Sequence, residues 1–436
     1  MKKTITKTLV ISGLIMSANV AGAEKAAAQK AVNDTLYIPE RAIILHGDKK
    51  NADKDVMAVF YSRQELAPND PDAPRFLLLD REGKIAFGIG GQFYATGFYD
   101  MGGSINDGSN FTTYDIPVPS DPEQRSRFGA DISHSSLFIK LVGKTRKYGM
   151  FQAYFQTNFT GDNGGYGFKL KQAYVSLGHV TLGLTNSTFV DAATQAPTVD
   201  TEGPSGQVSG KNILFRYVTP VRKGVSGAIS IEMPKTSYTL SDETKSLSAR
   251  VPDIPAYIQF SWGGGQHLRL SGIFRDMAYR DLKTGKNKLE VGYGVQLSTI
   301  TNIDRYGIVQ LFGHVAYGRG IGQYINDLGG CGYDLVYDQT AGQMKAPEMM
   351  GWTGGLIVNA TSKLQFTGSF SRAQVYDLKY LGDDTYRYGQ YLDVNGFYNI
   401  DSNFKVGAEY LRGWRKDYSG QTGTANRINL LVQYSF

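Results

Sequence analysis

From Lys84 onward the chain is a series of stretches whose apolar residues recur at every second position, and the connectors between them alternate in length. The short ones are 143–149, 178–179, 220–224, 263–266, 302–304, 361–362 and 401–402. The others, mostly long, are 101–124, 189–210, 234–252, 319–349, 376–386 and 415–425. Period-two alternation makes each stretch a strand that is apolar on one face and polar on the other. A soluble β-sandwich has no reason to send its long loops to one end and its tight turns to the other. A barrel in a bacterial outer membrane does: turns are short on the periplasmic side and loops longer outside.

Individual strands carry the same signature. Leu289, Val291, Tyr293, Val295 and Leu297 oppose Lys288, Glu290, Gly292, Gly294 and Gln296. Phe151, Ala153 and Phe155 oppose Gln152, Tyr154 and Gln156. In the last ten residues Ile428, Leu430, Val432, Tyr434 and Phe436 share a face, with Leu431 as the one apolar residue on the other. The fold class predicted is all-β, a transmembrane antiparallel β-barrel of about 16 strands over 84–436, preceded by a short N-terminal periplasmic extension. That strand number lies in the porin range.

The N-terminus points to the same compartment. Met1-Lys2-Lys3 precedes an apolar run, Leu9 to Met16, and small residues ending Ala21-Gly22-Ala23. This predicts a secretory signal peptide over 1–23, too short for a membrane span. Its removal takes Lys2, Lys3 and Lys7 and lowers the formal charge from +6 to +3. Basic balance is thus no pointer to nucleic acid, and none is expected as a partner. Residues 24–83 are read as a periplasmic extension or small plug, with a short helix around 53–64 and a Pro-rich exit through Pro68, Pro71 and Pro74. The single cysteine, Cys331, makes neither an internal disulfide nor a metal cluster. Tyr 28, Phe 22 and Gly 52 suit a barrel wall, with its aromatic girdles and close backbone approaches.

About sixteen strands enclose a water channel unless something fills it. The filler expected is the 189–210 connector, which carries Asp200, Glu202 and Gly203-Pro204. Basic residues fall on inward parities of nearby strands: Arg125 and Arg127 with Asp131, then Lys169, then Arg216 between Phe215 and Tyr217. Lys171 is a further member, although the parity slips near Gln172. Arg269 and Arg275 are additional inward cations, and Lys235 is read as a remote loop lysine. Inward cations opposite acidic loop residues would set a transverse field that sorts solutes by charge.

Four segments resemble the DcaP-like outer-membrane porin family. They are Ser126-Arg127-Phe128-Gly129, Phe168-Lys169-Leu170-Lys171-Gln172-Ala173-Tyr174, Thr185-Asn186-Ser187-Thr188-Phe189-Val190-Asp191 and Asp200-Thr201-Glu202-Gly203-Pro204-Ser205-Gly206. Gly90-Gly91 with Phe93, Tyr94 and Tyr99-Asp100 fits that family's first strand. The resemblance implies a homotrimeric diffusion porin of a Gram-negative outer membrane, among lipid and lipopolysaccharide. It also implies a basic constriction favouring small anionic solutes such as dicarboxylates.

Two other classes stay open at this point. One is an outer-membrane transporter of hydrophobic solutes with an N-terminal plug, which would need an apolar pocket. The other is a non-conducting adhesin or structural barrel. An enzyme is not expected: His46, His134, His179, His267 and His314 lie in no motif that pairs a nucleophile with an oriented base. No catalytic, metal or cofactor-binding residue is assigned, and no required cofactor is named, because neither phosphate-loop nor metal-ligand spacing occurs.

Overall fold

A computed structural model describes residues 43–44, 52–62, 68, 70–103, 105, 110–121, 123, 125–161 and 166–436. The signal peptide read over 1–23 lies outside these. Among them, sixteen antiparallel strands form a closed barrel. In chain order they are β1 (Ile85–Met101), β2 in two pieces (Ser126–Asp131 and Ser136–Thr145), β3 (Gly149–Asn158) and β4 (Lys169–Leu177). Next come β5 (Val180–Asn186), β6 (Lys211–Val218), β7 (Val225–Glu232) and β8 (Ile254–Gly263). β9 (Gln266–Asp281), β10 (Lys286–Asn302), β11 (Val309–Arg319) and β12 (Glu348–Asn359) follow. The last four are β13 (Leu364–Val375), β14 (Tyr386–Asn399), β15 (Phe404–Asp417) and β16 (Thr422–Ser435). β16 pairs back onto β1, from Asn426 opposite Met101 to Ser435 opposite Gln92.

The connectors keep the expected rhythm. Tight turns join the strands at one rim, and at the other stand loops L1 (102–125), L2 (159–168), L3 (187–210), L4 (233–253), L5 (282–285), L6 (320–347), L7 (376–385) and L8 (418–421). One outer loop is shorter than the sequence suggests, and another is as tight as a turn. β9 and β10 run on to a four-residue L5, and β15 and β16 meet at L8 in place of the expected 415–425. Near the outer rim the wall no longer reads as apolar on one side and polar on the other, because loops pack against it. Met277 and Tyr279 of β9, for example, are buried against Leu335, Tyr337 and Met344 of L6.

The alternation decides which way each side chain points. Leu289, Val291, Tyr293, Val295 and Leu297 lie on the outer face, where they meet lipid rather than water. Leu431, the exception in the last strand, points inward and is buried with Tyr94, Phe397 and Val199 of L3. An apolar residue on the wet face therefore marks the place where a loop lies against the wall.

The segment before β1 is built into the barrel. A short strand, Phe76–Leu79, pairs with β1 from Ile89 to Ala86, just below the point where Phe436 exchanges backbone hydrogen bonds with Gly91. It carries the wall down where β16 ends. Helix α1 (Lys54–Tyr61) starts at Asp53, whose carboxylate accepts the Asp55 and Val56 N–H groups at 2.9 and 3.3 Å. Its buried face, Val56, Met57 and Phe60, packs on Leu77, Leu79, Ala86 and Val142, on the inner side of β1 and β2. Gly88 of β1 makes room: a Cβ there would sit 2.5 Å from both the Phe60 ring and Pro74. At the helix C-terminus the Lys140 ammonium, buried in the wall, donates to the Ser62 carbonyl at 2.7 Å. A cation is favourable at that end of the helix dipole.

Phe60 is the anchor of this contact. Phe60→Ala should free α1 from the wall, since truncating a buried Phe costs roughly 3–5 kcal/mol and an isolated eight-residue helix is not stable. The variant barrel should keep its heat-modifiable mobility while protease cuts between residues 52 and 75. Wild-type protection of that stretch would refute the docking.

Candidate functional site: the inward loop and the lysine wall

L3 leaves β5 and lies inside the barrel, pinned along most of its length. Asp191 accepts from His267 Nε2 at 2.8 Å and from Ser298 Oγ at 2.6 Å, with Arg269 Nη1 at 3.5 Å. Burial opposes the charge of the Asp191 carboxyl, yet Arg269 and His267 prevail and hold it well below the usual carboxylate range. The Val208 N–H donates to His314 Nε2 at 3.0 Å, which leaves His314 Nδ1 to donate to Thr194 Oγ1 at 3.2 Å. Farther along, the Val199 and Asp200 N–H groups donate to the two oxygens of Glu409, both at 2.8 Å. Asn395 donates to the Pro197 carbonyl at 2.8 Å and Tyr94 to the Val199 carbonyl at 2.7 Å.

Gly206 is required by close approach. A Cβ there would lie 2.0 Å from the Arg372 carbonyl and 2.7 Å from the Trp352 nitrogen, so the loop backbone rests directly on β12 and β13. Its N–H donates to Ser371 Oγ at 2.7 Å. L6 then closes over L3: Val208 bridges Ile325, and the Asn326 N–H donates to the Gln207 carbonyl at 3.0 Å. These contacts reach β1 and β9 to β15. They leave the wall from β2 to β6 opposite.

On that opposite wall the sequence-predicted cations separate into groups. Lys169 and Lys171 stand at a β-bulge, where Gln156 faces Gln172, Thr157 faces Leu170 and Lys171 is the extra residue. This bulge is the physical cause of the parity slip seen in the sequence. Lys211 and Glu202 lie within electrostatic reach of Lys171, as does Asp70 from the segment before β1. Asp70 also accepts from Gln172 Nε2 at 3.3 Å.

The other candidates stand apart. Arg127 points inward but under L1, donating to the Ile105 carbonyl at 2.9 Å with its guanidinium over the Phe98 ring. Arg125 is exposed at the end of L1. Asp131 holds the break in β2, accepting from the Ser133 N–H at 3.2 Å and the Ser133 hydroxyl at 2.9 Å. That break lets His134 Nε2 meet Thr201 Oγ1 of L3 at 2.9 Å. Arg216 sits deeper on β6, donating to the Asn186 carbonyl at 3.3 Å.

Asp200 does not face the cations across an opening. It is buried, accepting from the Phe111 and Gly203 N–H groups and from Tyr391 Oη, each at 3.1 Å. Burial pushes its carboxyl up to about 6, against the pull of Arg427 and the backbone N–H groups. Arg269 and Arg275 likewise fix loops rather than line a passage. Arg275 is fully buried between Asp253 at 3.0 Å and Asp334 at 2.9 Å.

Sequence reasoning left Lys211 unassigned and placed Lys235 too far away. The Lys235 ammonium donates to the Lys211 carbonyl at 2.5 Å and lies within electrostatic reach of Lys169. Lys211 follows Gly210 at the edge of the inward loop, and that position was the available signal.

A closed barrel of this strand number, apolar outside, polar inside and with a loop laid inward, has the fold of the outer-membrane porins, and it belongs in the outer membrane of a Gram-negative bacterium. Residues 84–235 match the model of the DcaP outer membrane protein family, which bears out the resemblance carried by the sequence segments. The crystal structure of the outer membrane channel DcaP of Acinetobacter baumannii is similar with a TM-score of 0.69 at 16% identity, covering 82% of this chain and 99% of that one. An anion-selective porin from Comamonas acidovorans follows at 0.53 and 10%, covering 81% and 100%. The Vibrio cholerae outer membrane protein OmpT is similar at 0.51 and 8%, covering 82% and 100%. No curated protein matches the chain.

Proposed function

We propose that the protein is a diffusion porin that favours small anions, dicarboxylates among them, through an eyelet between the Glu202 edge of L3 and the lysines of the facing wall. One observation carries this reading: Lys169, Lys171, Lys211 and Lys235 gather at one place, with Glu202 and Asp70 as acids within reach of Lys171. Cations outnumber acids there even though the mature chain as a whole is only slightly basic. Two unit charges ~6 Å apart at an effective dielectric of ~40 interact by roughly 1.4 kcal/mol, about tenfold in local occupancy. Arg216, deeper on the same wall, extends the positive path. A solute with two carboxylates would meet two ammonium groups at once, and lysine, a point charge with no bidentate fork, lets it leave again. Assembly as a homotrimer is part of this reading and rests on the family resemblance.

The test is the reversal potential of the channel in a planar bilayer under a salt gradient. Lys169→Glu/Lys171→Glu should move it strongly toward cations, and Arg216→Gln by a smaller step. Lys147→Glu, in the turn at the opposite rim, should leave it unchanged. A wild-type channel that already prefers cations, or a double variant that matches the Lys147 control, would overturn the proposal.

A further inference from the structure

The outer face of β12 to β15 departs from the rest of the wall near its extracellular end. Register puts Trp352, Arg372, Gln390 and Trp414 side by side in one row. One row nearer the membrane centre Arg412 stands beside Leu392, and one row farther out Lys416 stands beside Tyr388. All share the outward parity of Leu356, Val394 and Tyr410, which lie just below them and are exposed. An apolar band thus gives way, within one or two residues, to a cluster of three cations and aromatic rings. Two of the chain's three tryptophans are in it.

The cluster is ordered by its rings. The Arg372 guanidinium lies 3.9 Å from the Tyr388 ring centroid and that of Arg412 5.0 Å from Trp414. Phe370 bridges Trp352 and Trp414, with centroids 5.7 and 6.4 Å apart. Stacking holds a guanidinium by its face and leaves the in-plane N–H groups for another partner. Arg372 Nε is buried and has no hydrogen-bond partner among the described residues. No carboxylate pairs with Arg372, Arg412 or Lys416 among them either.

We infer that this surface binds the phosphorylated disaccharide headgroup of the outer-leaflet glycolipid, with Arg372 and Arg412 on its phosphates. Phosphate takes arginine N–H pairs, sugar faces suit tryptophan, and acyl chains have the apolar rows beneath to lie on. The height is right: aromatic residues mark the level of lipid headgroups. A second copy of the chain would have to bring acids to three cations, and the outward Glu348 is already paired with Arg319.

Native mass spectrometry of the detergent-purified wild-type assembly with bisphosphorylated lipid A tests the inference. Arg372→Gln/Arg412→Gln should retain roughly tenfold less lipid A, or lower still, as two cations near an anionic surface would give. Monophosphorylated lipid A should bind wild type more weakly, and phosphatidylglycerol should show little difference between the proteins. Lys147→Gln is the control and should bind as wild type. Equal lipid A retention by the double variant and wild type would overturn the assignment. So would a double variant that loses its oligomeric state while its barrels keep their lipid A, because the surface would then be an interface between copies.

Discussion

Replacing residues 194–207 of L3 with a short Gly/Ser link should raise single-channel conductance several-fold and shift the reversal potential toward cations, in a barrel that remains heat-modifiable. The size of the effect follows from what L3 covers. It lies on the inner wall from β9 to β16, and its own N–H groups satisfy both oxygens of Glu409. Asn395, which donates to the Pro197 carbonyl, also donates to Asp393 at 2.9 Å. With the loop gone, Glu409 and Asp393 would face water in an enlarged lumen and add acidic groups beside the solute path. The wall itself needs none of these contacts, because each strand is paired with both neighbours. Unchanged conductance in an intact barrel would move the constriction away from L3. Raised conductance with an unmoved reversal potential would show that Glu409 and Asp393 do not reach the solute path.

Arg275→Met should loosen two outer loops at once, with the damage confined to them. The guanidinium pairs Asp253 with Asp334 and also donates to the Gly320 and Lys235 carbonyls at 2.5 and 2.6 Å. One buried side chain thus ties L4 and L6 to β9. Removing it leaves two buried carboxylates without their cation, and breaking a buried pair in this way costs about 3–5 kcal/mol. Limited proteolysis of intact cells should cut L4 and L6 in the variant and spare them in wild type, while the barrel still reaches the membrane. Arg275→Lys should restore little, since an ammonium cannot span two carboxylates and two carbonyls in one plane. Wild-type protease resistance in Arg275→Met would show that apolar packing of L6, around Ile321 and Leu328, suffices alone.

The barrel was legible because its rule is local. Facing lipid or water at every second residue is written into each strand, and the turn rhythm then fixes the count without knowledge of any long-range contact. The loop seat was not legible in the same way. That L3 folds inward could be read from its length and position, but its partners come from chain positions roughly 70 to 210 residues away, His267 and Glu409 among them. No period or motif links Glu409 to Val199. Asp200 looked like an eyelet acid and is a buried acceptor, because a carboxylate's role depends on which N–H groups reach it. Lys171 was recovered through its own irregularity, since a parity slip in a strand is what a bulge looks like in sequence. The outward arginines of β13 and β15 were passed over because a cation on the lipid face breaks the alternation, and a broken alternation reads as a weak strand.

The short strand Phe76–Leu79 solves a problem of geometry at the seam. β1 is long, and its backbone continues below the point where its last-strand partner stops at Phe436. From Ala86 to Ile89 it would otherwise present an unpaired row of N–H and C=O groups at the periplasmic rim, the kind of template on which strands of other molecules add themselves. The chain fills that row with its own residues 76–79, and Phe76 sets its ring 6.4 Å from that of Phe436 across the junction. The joint where the barrel meets itself is therefore closed from below by the chain's own backbone, and the added strand is in turn paired at Phe76 and Leu77 with residues 43 and 44.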